Sequence, residues 1–530
     1  GVLVALLRRA LLWVYWIPSR YESSRIACAL GVPLSLFIAE LTGASPSGYR
    51  AAVTSAIAFG LSACGLRPHA GAVASFACLI FAAVQPREAI RPAFLLSIAA
   101  TAAILSATQA PQTSAASVAR TAWTLSVRTS VATAPVLLWS FGAFAWVSAF
   151  ANVLLVPLCS LLLVLAAVHA LLVAVAVWLA PITALPVELL SSAFLRSCEA
   201  VASVAQPWES PPMSTAQGVC FAIACASWLL VSRTRSHLLL AGTAVALLAL
   251  LELDLRRSEQ PNDALRVTFV DVGQGDAALV DFPDGRVMLI DAGGNLHGGS
   301  DPGERALLPL LQARRRSHLD VVVLTHPHPD HFGGLPALTN AVSIGEIWDT
   351  GQSEHESALH GTRDVDALLT ELRARGTRVL RPDALCDAER RFGDAAVSVL
   401  WPCPSFDAGL DENDNSLVLR IQHGERRFLF TGDIERLAER ALLDRRIDVR
   451  ADVLKVAHHG SRTSSTRAFV SAVAPIVSVI SAGRHNTFRH PHPETLETLR
   501  AAGSDVVDLG ASGGAIVTSD GRDLRIRTWA

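Results

Sequence analysis

The chain has 530 residues, enough for two or more domains at roughly 150 residues each. Of its 45 basic and 47 acidic side chains, residues 1–250 hold 13 and 6, all Arg and Glu, which leaves 32 and 41 for the rest. A first half so poor in charge is excluded as an ordinary water-soluble domain, and a second half at net −9 repels phosphates unless basic residues cluster locally.

The chain begins on Gly1 without a cleavable signal pattern, and reads as shortened at its N-terminus. Val2–Trp16 is apolar but interrupted by Arg8 and Arg9, as in a helix lying at the membrane interface. Apolar segments follow near residues 26–42, 51–66, 70–85, 92–108, 121–144, 145–178, 183–205, 217–232 and 238–253. At about 20 residues per crossing they predict roughly eight to ten spans, with 145–178 read as one tilted span plus a re-entrant piece. No alternation of polarity marks them as strands, so helices satisfy their backbones. Ser97, Arg128, Ser140, Asn152, His169 and Glu199 lie in or near these segments and are candidates to line a polar path.

Ser232–His237 is basic, which places that loop on the cytoplasmic side and sends the next span outward. Arg256 and Arg257, just after that span, pull the other way. Seven cysteines lie in the apolar half and read as small hydrophobes. Cys386 and Cys403 lie beyond it, and a bridge between them stays open.

From about residue 262 to 530 the pattern changes to strands and helices. Leu265–Gly273 is a strand, and Asp276–Gly294 a hairpin turning at Pro283-Asp284-Gly285. A helix, the buried strand 320–325 and further strand–helix units follow, with a last hairpin around Asp520-Gly521. Hairpins mixed with strand–helix units imply layered sheets with helices outside. The expected domains are thus residues 1–257, a multi-pass α-helical membrane domain, and 262–530.

The chemistry concentrates at THPHPDH, Thr325–His331, straight after the apolar strand. Three His and one Asp within six residues are ligands for divalent ions such as zinc or manganese. The spacing sends His326 and His328 toward one metal and lets Asp330 and His331 reach a second. Pro327 and Pro329 stiffen the loop and lower the entropy lost on ordering it.

HxHxDH resembles the signature of the metallo-β-lactamase superfamily, and further motifs follow in the family's order. By that resemblance Asp291 in LIDAGG supports the metal loop, Asp433 in FTGD bridges two metals, and one of His458 and His459 in KVAHHGS closes the site. His458 is favoured as the ligand, with His459 beside it as a catalytic group. The family's further His has no counterpart in Asp411–Ile421, which offers Asp414, Asn415 and Ser416. A site short of nitrogen favours a harder ion such as manganese. Two divalent ions about 3.5–4 Å apart clamp both oxygens of an in-line phosphodiester displacement. Asp330 joins that chemistry. Lys455, the chain's one lysine, and His490 are candidates to hold phosphate or protonate the leaving group, with Asn415, Ser416, Ser461 and Asn486 as substrate contacts.

Val267–Val280 (VTFVDVGQGDAALV), the NSLVL, TGD, HHGS and NxxxHP motifs together resemble the soluble domain of the ComEC family of DNA-uptake proteins. Asp271 and Asp276 of that opening are supporting residues. Leu41–Val53, Gln85–Ser97, Ala134–Phe144 and Ala151–Leu158 are similar to the family's competence region. Two departures stand out: no soluble domain interrupts the early spans, and Leu95 stands where the family has Gln. The resemblance implies an αββα fold for the second domain. It also implies an inner-membrane channel for single-stranded DNA in natural transformation, with a nuclease that degrades the strand left outside. Implied partners are DNA, the lipid bilayer, a periplasmic DNA receptor, a cytoplasmic DNA motor protein and further copies of the chain. Arg314–Arg316, Arg426–Arg427 and Arg445–Arg446 are the local basic clusters available for DNA. Two alternatives remain: a membrane-tethered hydrolase for another phosphodiester, and a transporter whose hydrolase-like domain is not catalytic.

Overall fold

The computed structural model describes residues 4–5, 8–9, 12, 22–41, 43, 45–107, 114–204, 208–230, 235–260, 263–294, 301–355, 364–386, 389–484 and 486–529. They form two compact units, Gly1–Leu253 and Asp254–Ala530. Most of Val2–Trp16, and residues 232–234 of the basic loop, lie outside the described residues.

The first unit is helical: α1 (Ser23–Leu41), α2 (Pro46–Ala63), α3 (Ala70–Val84), α4 (Pro92–Leu105), α5 (Ala115–Phe141), α6 (Ser148–Val175), α7 (Ala180–Val204), α8 (Thr215–Leu230) and α9 (Arg235–Ser258). Each apolar segment of the sequence overlaps one of them. Caps set their starts. Ser45 accepts from the Gly48 amide ahead of Pro46, and Ser114 and Ser117 form a reciprocal capping box.

The span count differs from the expected eight to ten. Among the described residues four helices are long and apolar enough to cross a membrane: Ser23–Leu41, Ser148–Val175, Val177–Val204 and Leu238–Ser258. Ala70–Val84, Pro92–Leu105 and Thr215–Leu229 are apolar but shorter. The 14 residues of α4 rise about 21 Å, against a hydrocarbon core of about 30 Å. Segment 145–178 is one helix carrying Pro157, then a turn at Val177–Leu179, in place of a span and a re-entrant piece.

Polar groups inside this unit are mostly spent on neighbours. Arg128 on α5 donates to Ser106 Oγ at 2.8 Å and to the Leu229 carbonyl at 2.6 Å, tying α5 to the ends of α4 and α8. His169 meets Thr183 at 2.7 Å. Ser140 Oγ is buried without a partner, and Glu199 is exposed.

The second unit is built from two sheets. The first has strands β1 (Leu265–Val270), β2 (Ala278–Asp281), β3 (Val287–Ile290), β4 (His318–Val323), β5 (Ser343–Trp348) and β6 (Arg378–Leu380). The second has β7 (Arg390–Phe392), β8 (Ala395–Trp401), β9 (Val418–His423), β10 (Arg426–Phe430), β11 (Val453–Lys455), β12 (Val477–Ile480) and β13 (Asp505–Asp508). The chain then returns to the first sheet with β14 (Gly514–Ser519) and β15 (Leu524–Thr528), giving the order β15-β14-β1-β2-β3-β4-β5-β6 against β13-β12-β11-β10-β9-β8-β7. In each sheet one end is antiparallel hairpins and the other parallel strands, from β3 to β6 and from β10 to β13.

Three apolar clusters define the layers. Phe269, Met288 and Val323 of one sheet pack on Leu419, Phe428 and Val453 of the other, with Phe269 stacked on Phe430 at 5.9 Å. The outer face of the first sheet is covered by α10 (Leu308–Ala313) and α11 (Asp364–Ala374) through Leu311, Leu369 and Leu372. The outer face of the second is covered by α12 (Arg436–Asp444), α13 (Arg467–Val473) and α14 (Pro493–Ala501) through Leu442, Phe469 and Leu499. The result is the expected αββα layering. Cys386 and Cys403 form a disulfide with Cα atoms 5.8 Å apart.

Candidate metal centre

Parallel strands leave their C-terminal ends together, where loops converge on one crevice. The register pairs Ile290 with Val323 and Phe430 with Lys455. Asp291, Thr325 and His326 therefore leave one sheet beside each other, while Asp433 and His458–His459 leave the other. The DVGQGD loop closes the site from below. The Asp276 amide donates to the Asp330 carbonyl at 3.2 Å and the Ala292 amide to the His331 carbonyl at 2.7 Å. A side chain at Gly275 (φ +129°) or Gly294 would collide with the Asp330 or Pro329 carbonyl, so both loops need glycine to come this near. Three non-glycine residues here hold left-handed backbones, Asp291 (φ 57°), His458 (48°) and His459 (53°). Each costs on the order of 1–3 kcal/mol and persists because the surroundings fix it.

Asp330, His331, Asp433 and His459 place one ligand atom each within 4.8 Å of one another, all buried. His459 Nε2 lies 3.3 Å from Asp330 and 3.4 Å from Asp433, and His331 Nε2 lies 3.3 Å from Asp433. His326 packs its ring 4.1 Å from that of His331 and 4.5 Å from that of His328. Ligand atoms of the cluster are unsatisfied: the nitrogens His326 Nε2 and His331 Nε2 and the oxygen Asp433 Oδ1 are buried with no hydrogen-bond partner. The 3.3 Å contact of His331 with Asp433 is thus a charge contact without hydrogen-bond alignment. Such orphans are expensive to bury, and imidazole nitrogens beside carboxylate oxygens suit a divalent cation.

A supporting layer fixes each ligand. Asp291 accepts from the Thr325 amide at 2.9 Å, from Thr325 Oγ1 at 2.8 Å and from His331 Nδ1 at 2.8 Å, which turns His331 Nε2 inward. Burial pushes the Asp291 carboxyl up despite His331 beside it. Burial also works against charge on His331, yet Asp433 and Asp291 hold that imidazole well above its ordinary value. His326 has burial and neighbouring imidazoles against it and stays neutral. Burial opposes charge on His459 as well, but Asp433 and Asp276 hold it at about 10. Asp330 and Asp433 resist their own burial through these imidazoles and sit well below the carboxylate range. Ser416 Oγ accepts from the Asp433 amide at 3.1 Å, and Asp271 caps the Gly273 amide at 3.0 Å.

Several expected roles change hands. His459, not the favoured His458, enters the cluster. Its Nδ1 donates to the Ser481 carbonyl at 2.9 Å, so Nε2 faces the ligands. His458 stands 3.9 Å from Asp433 and spends Nδ1 on Glu435 at 2.9 Å. The two are adjacent, and only the consecutive left-handed residues decide which ring turns inward. Lys455 does not reach an open face. It is buried against Asp276 at 2.6 Å, a counter-ion two steps behind the centre. Burial raises the Asp276 carboxyl, but Lys455 and His459 outweigh it and hold it below its ordinary value. Asn415 spends its amide on Asp407, Leu410 and Asp411, and Asn486 on Gly483 and His490; both brace loops. Ser461 Oγ meets Thr463 Oγ1 at 2.9 Å.

His490 remains beside the centre, its ring 5.8 Å from His458 and 6.4 Å from His459. Burial and those two imidazoles lower it to about 4, and Nδ1 is buried without a partner. Two acids missed in the sequence join the site. Glu412 meets His328 at 2.6 Å, and Glu435 accepts from Thr463 Oγ1 at 2.7 Å besides His458. Glu435 stands two residues after Asp433, on the outward side of the turn, where spacing was a usable signal. Glu412 lies in the Asp411–Ile421 stretch where the further His was sought, and that position was its signal.

Residues 270–484 match the metallo-β-lactamase superfamily model, and residues 1–235 match the Competence protein family model. The chain carries a region of the Competence protein family and a domain of the metallo-β-lactamase superfamily. It is 32% identical over 250 residues to ComE operon protein 3 of Bacillus subtilis (strain 168), covering 44% of this chain and 30% of that one. It is 31% identical over 255 residues to Competence protein ComA of Neisseria gonorrhoeae, covering 48% and 32%. Ribonuclease J of Mycobacterium tuberculosis (strain CDC 1551 / Oshkosh) is 24% identical over 254 residues, covering 45% and 41%. The chain thus matches about a third of the length of these competence proteins. The superfamily implies a divalent metal, and the buried His/Asp cluster fits one.

Proposed function

We propose that this chain carries single-stranded DNA across the bacterial inner membrane, and that its second domain is a metal-dependent phosphodiesterase that degrades the strand left outside. The observation that carries the reading is a competence-type region and a buried, unsatisfied His/Asp cluster in one chain. Asp330, His331, Asp433 and His459 would hold one divalent ion, manganese or zinc, and His326 with His328 would hold a second. When bound, such ions supply Lewis acidity toward a phosphodiester.

The chain's own residues then do the rest. Asp291 keeps His331 Nδ1 protonated and its Nε2 free for the centre. Glu435 does the same for His458, leaving Nε2 toward the crevice. His490, neutral and unpartnered at Nδ1, is the group placed to exchange a proton with a phosphate oxygen. Asp276 and Lys455 pin the far side of His459. The Cys386–Cys403 disulfide supports a domain on the extracytoplasmic side, since disulfides persist in oxidising compartments. A periplasmic DNA receptor, a cytoplasmic motor and self-association are the partners this role requires. A second reading, hydrolysis of another phosphodiester, draws on the net −9 of the second half.

The test is manganese- and zinc-dependent cleavage of single-stranded DNA by the full chain beside the His326→Ala, Asp433→Ala double variant. Cleavage lost in the variant sustains the nuclease. No cleavage by a folded, metal-loaded chain sinks it, and turnover of a non-nucleotide phosphodiester would establish the second reading.

A further inference from the structure

Two segments that resemble the competence region, Leu41–Val53 and Gln85–Ser97, lie 32 residues apart in sequence and meet in the first unit. Arg50 of α2 donates through Nη2 to the Ala93 carbonyl at the start of α4, at 2.9 Å. Its guanidinium lies over the Phe94 ring at 5.6 Å, and its Nε is buried without a partner.

On one side of Arg50 is a cavity of about 750 Å³ between α2, α3, the turn Pro86–Ala89 and α4. Its charged lining is Arg50, Arg87 and Arg91 against Glu88, three guanidiniums to one carboxylate. Glu88 is occupied with Arg91 at 2.8 Å. Tyr49, Phe81 and Phe94 supply ring surface. On the other side is a chamber of about 310 Å³ that shares Arg50, Phe81 and Phe94 and is lined by the hydroxyls of Ser47, Thr54, Ser55, Ser97 and Thr101. Arg50 therefore stands at the neck between an arginine-rimmed vestibule and a narrower hydroxyl-lined space.

A half-buried guanidinium with an unused Nε donor wants an anion, and a fork of N–H groups matches the oxygens of a phosphate. Rings beside a basic groove add stacking faces that tolerate any base. The larger volume is that of pockets holding small ligands. We infer that this vestibule is a binding site for a phosphodiester of single-stranded nucleic acid, with Arg50 as its inner phosphate ligand and Arg87 and Arg91 as its rim. The inference rests on the uptake reading above and names where in the first unit the strand is held.

The experiment uses the full chain in phosphatidylcholine nanodiscs, on an Asp433→Ala background with EDTA so that the strand is not cut. Binding of a labelled twelve-residue oligothymidylate is measured against salt. Arg50→Gln is expected to weaken binding about tenfold. Arg87→Gln with Arg91→Gln, an exposed pair that spares the Arg50 contact with α4, is expected to do the same. That rim variant also lowers the salt slope by about 0.7 for each charge removed. Arg67→Gln, outside the cavity, leaves both unchanged. If the wild type does not bind the strand, the uptake reading falls and this site falls with it. If the variants bind with the wild-type affinity and slope, or Arg67→Gln weakens binding as much, only this site falls. A phospholipid retained by the wild type and lost from the arginine variants, with strand binding intact, makes the occupant a lipid headgroup and overturns the assignment.

Discussion

The two sides of the metal centre are built differently. On the His331–His459 side every ligand is buried, and both rings have a second bond that aims them: Asp291 for His331, and Ser481 with Asp276 beside it for His459. On the His326–His328 side one ring is buried and neutral, and the other is about a third exposed and leans on Glu412. Pre-organisation is what lets a site bind an ion without ordering its ligands at that moment. The first side is therefore expected to hold an ion tightly, and the second to be at most an accessory position shared with solvent.

The largest expected effect follows directly. His331→Ala should lower metal-dependent cleavage on the order of 10³-fold, since it removes a ligand of the buried cluster and several kcal/mol of transition-state stabilisation go with it. It should also drop the metal content by about one ion per chain, measured by mass spectrometry of the digested protein. His328→Ala should keep that first ion. Equal loss of metal from both variants would erase the asymmetry.

Next is the pair behind His459. Lys455→Met leaves Asp276 buried beside the centre without its counter-ion, a kind of change that costs about 3–5 kcal/mol. Chemical denaturation of the metal-free chain should show it, and Lys455→Met with Asp276→Leu should recover part of the loss. A wild-type midpoint in the single variant would mean that Lys455 is not a structural counter-ion.

How much of this was legible follows from distance along the chain. The HxHxDH ligands fall within six residues, so residue type and spacing identify them without the fold. Lys455 and Asp276 are 179 residues apart, and only sheet pairing reveals that the one neutralises the other. His458 and His459 are neighbours of the same type, and backbone conformation, not composition, selects between them. The apolar segments each marked a helix, because twenty apolar residues in a row have few other fates. Their number as spans did not follow, because the turns at Pro86–Ala89 and Val177–Leu179 decide how much of each run is helix.

A pH signature lies away from the ligands, between two outer helices of the second unit. Glu439 on α12 is fully buried and accepts from the Ser465 and Thr466 amides, at 2.5 and 2.9 Å, at the start of α13. Burial, only partly offset by those bonds, raises its carboxyl from 4.5 to about 7. The protonated form is then the one favoured by folding. Its contribution is fully present below about 4.5 and is lost as pH rises through about 7, at ~1.4 kcal/mol per unit. Wild-type stability should fall by about 3 kcal/mol over that window, and Glu439→Gln should flatten the fall. A pH profile identical in both proteins would show that the carboxyl titrates normally.

The smallest effect tests the comparison at its supports. Asp291→Asn keeps the shape and the Thr325 amide bond but puts an NH2 where the other oxygen accepts from Thr325 Oγ1 and His331 Nδ1, and removes the charge that holds the proton on that nitrogen. Losing such a support costs 10–100-fold in metal affinity or activity. Glu412→Gln makes the same change behind His328, yet that ring is partly solvated and water replaces the lost acceptor. Its effect should stay under about threefold, as for an exposed ion pair. Both are a carboxylate on an imidazole nitrogen at under 3 Å, Nδ1 in His331 and Nε2 in His328, and the contrast rests on burial and on the Thr325 bonds that fix Asp291. Matched losses from the two variants would mean that the accessory side is as pre-organised in solution as the buried one, and that the two positions bind their ions as a unit.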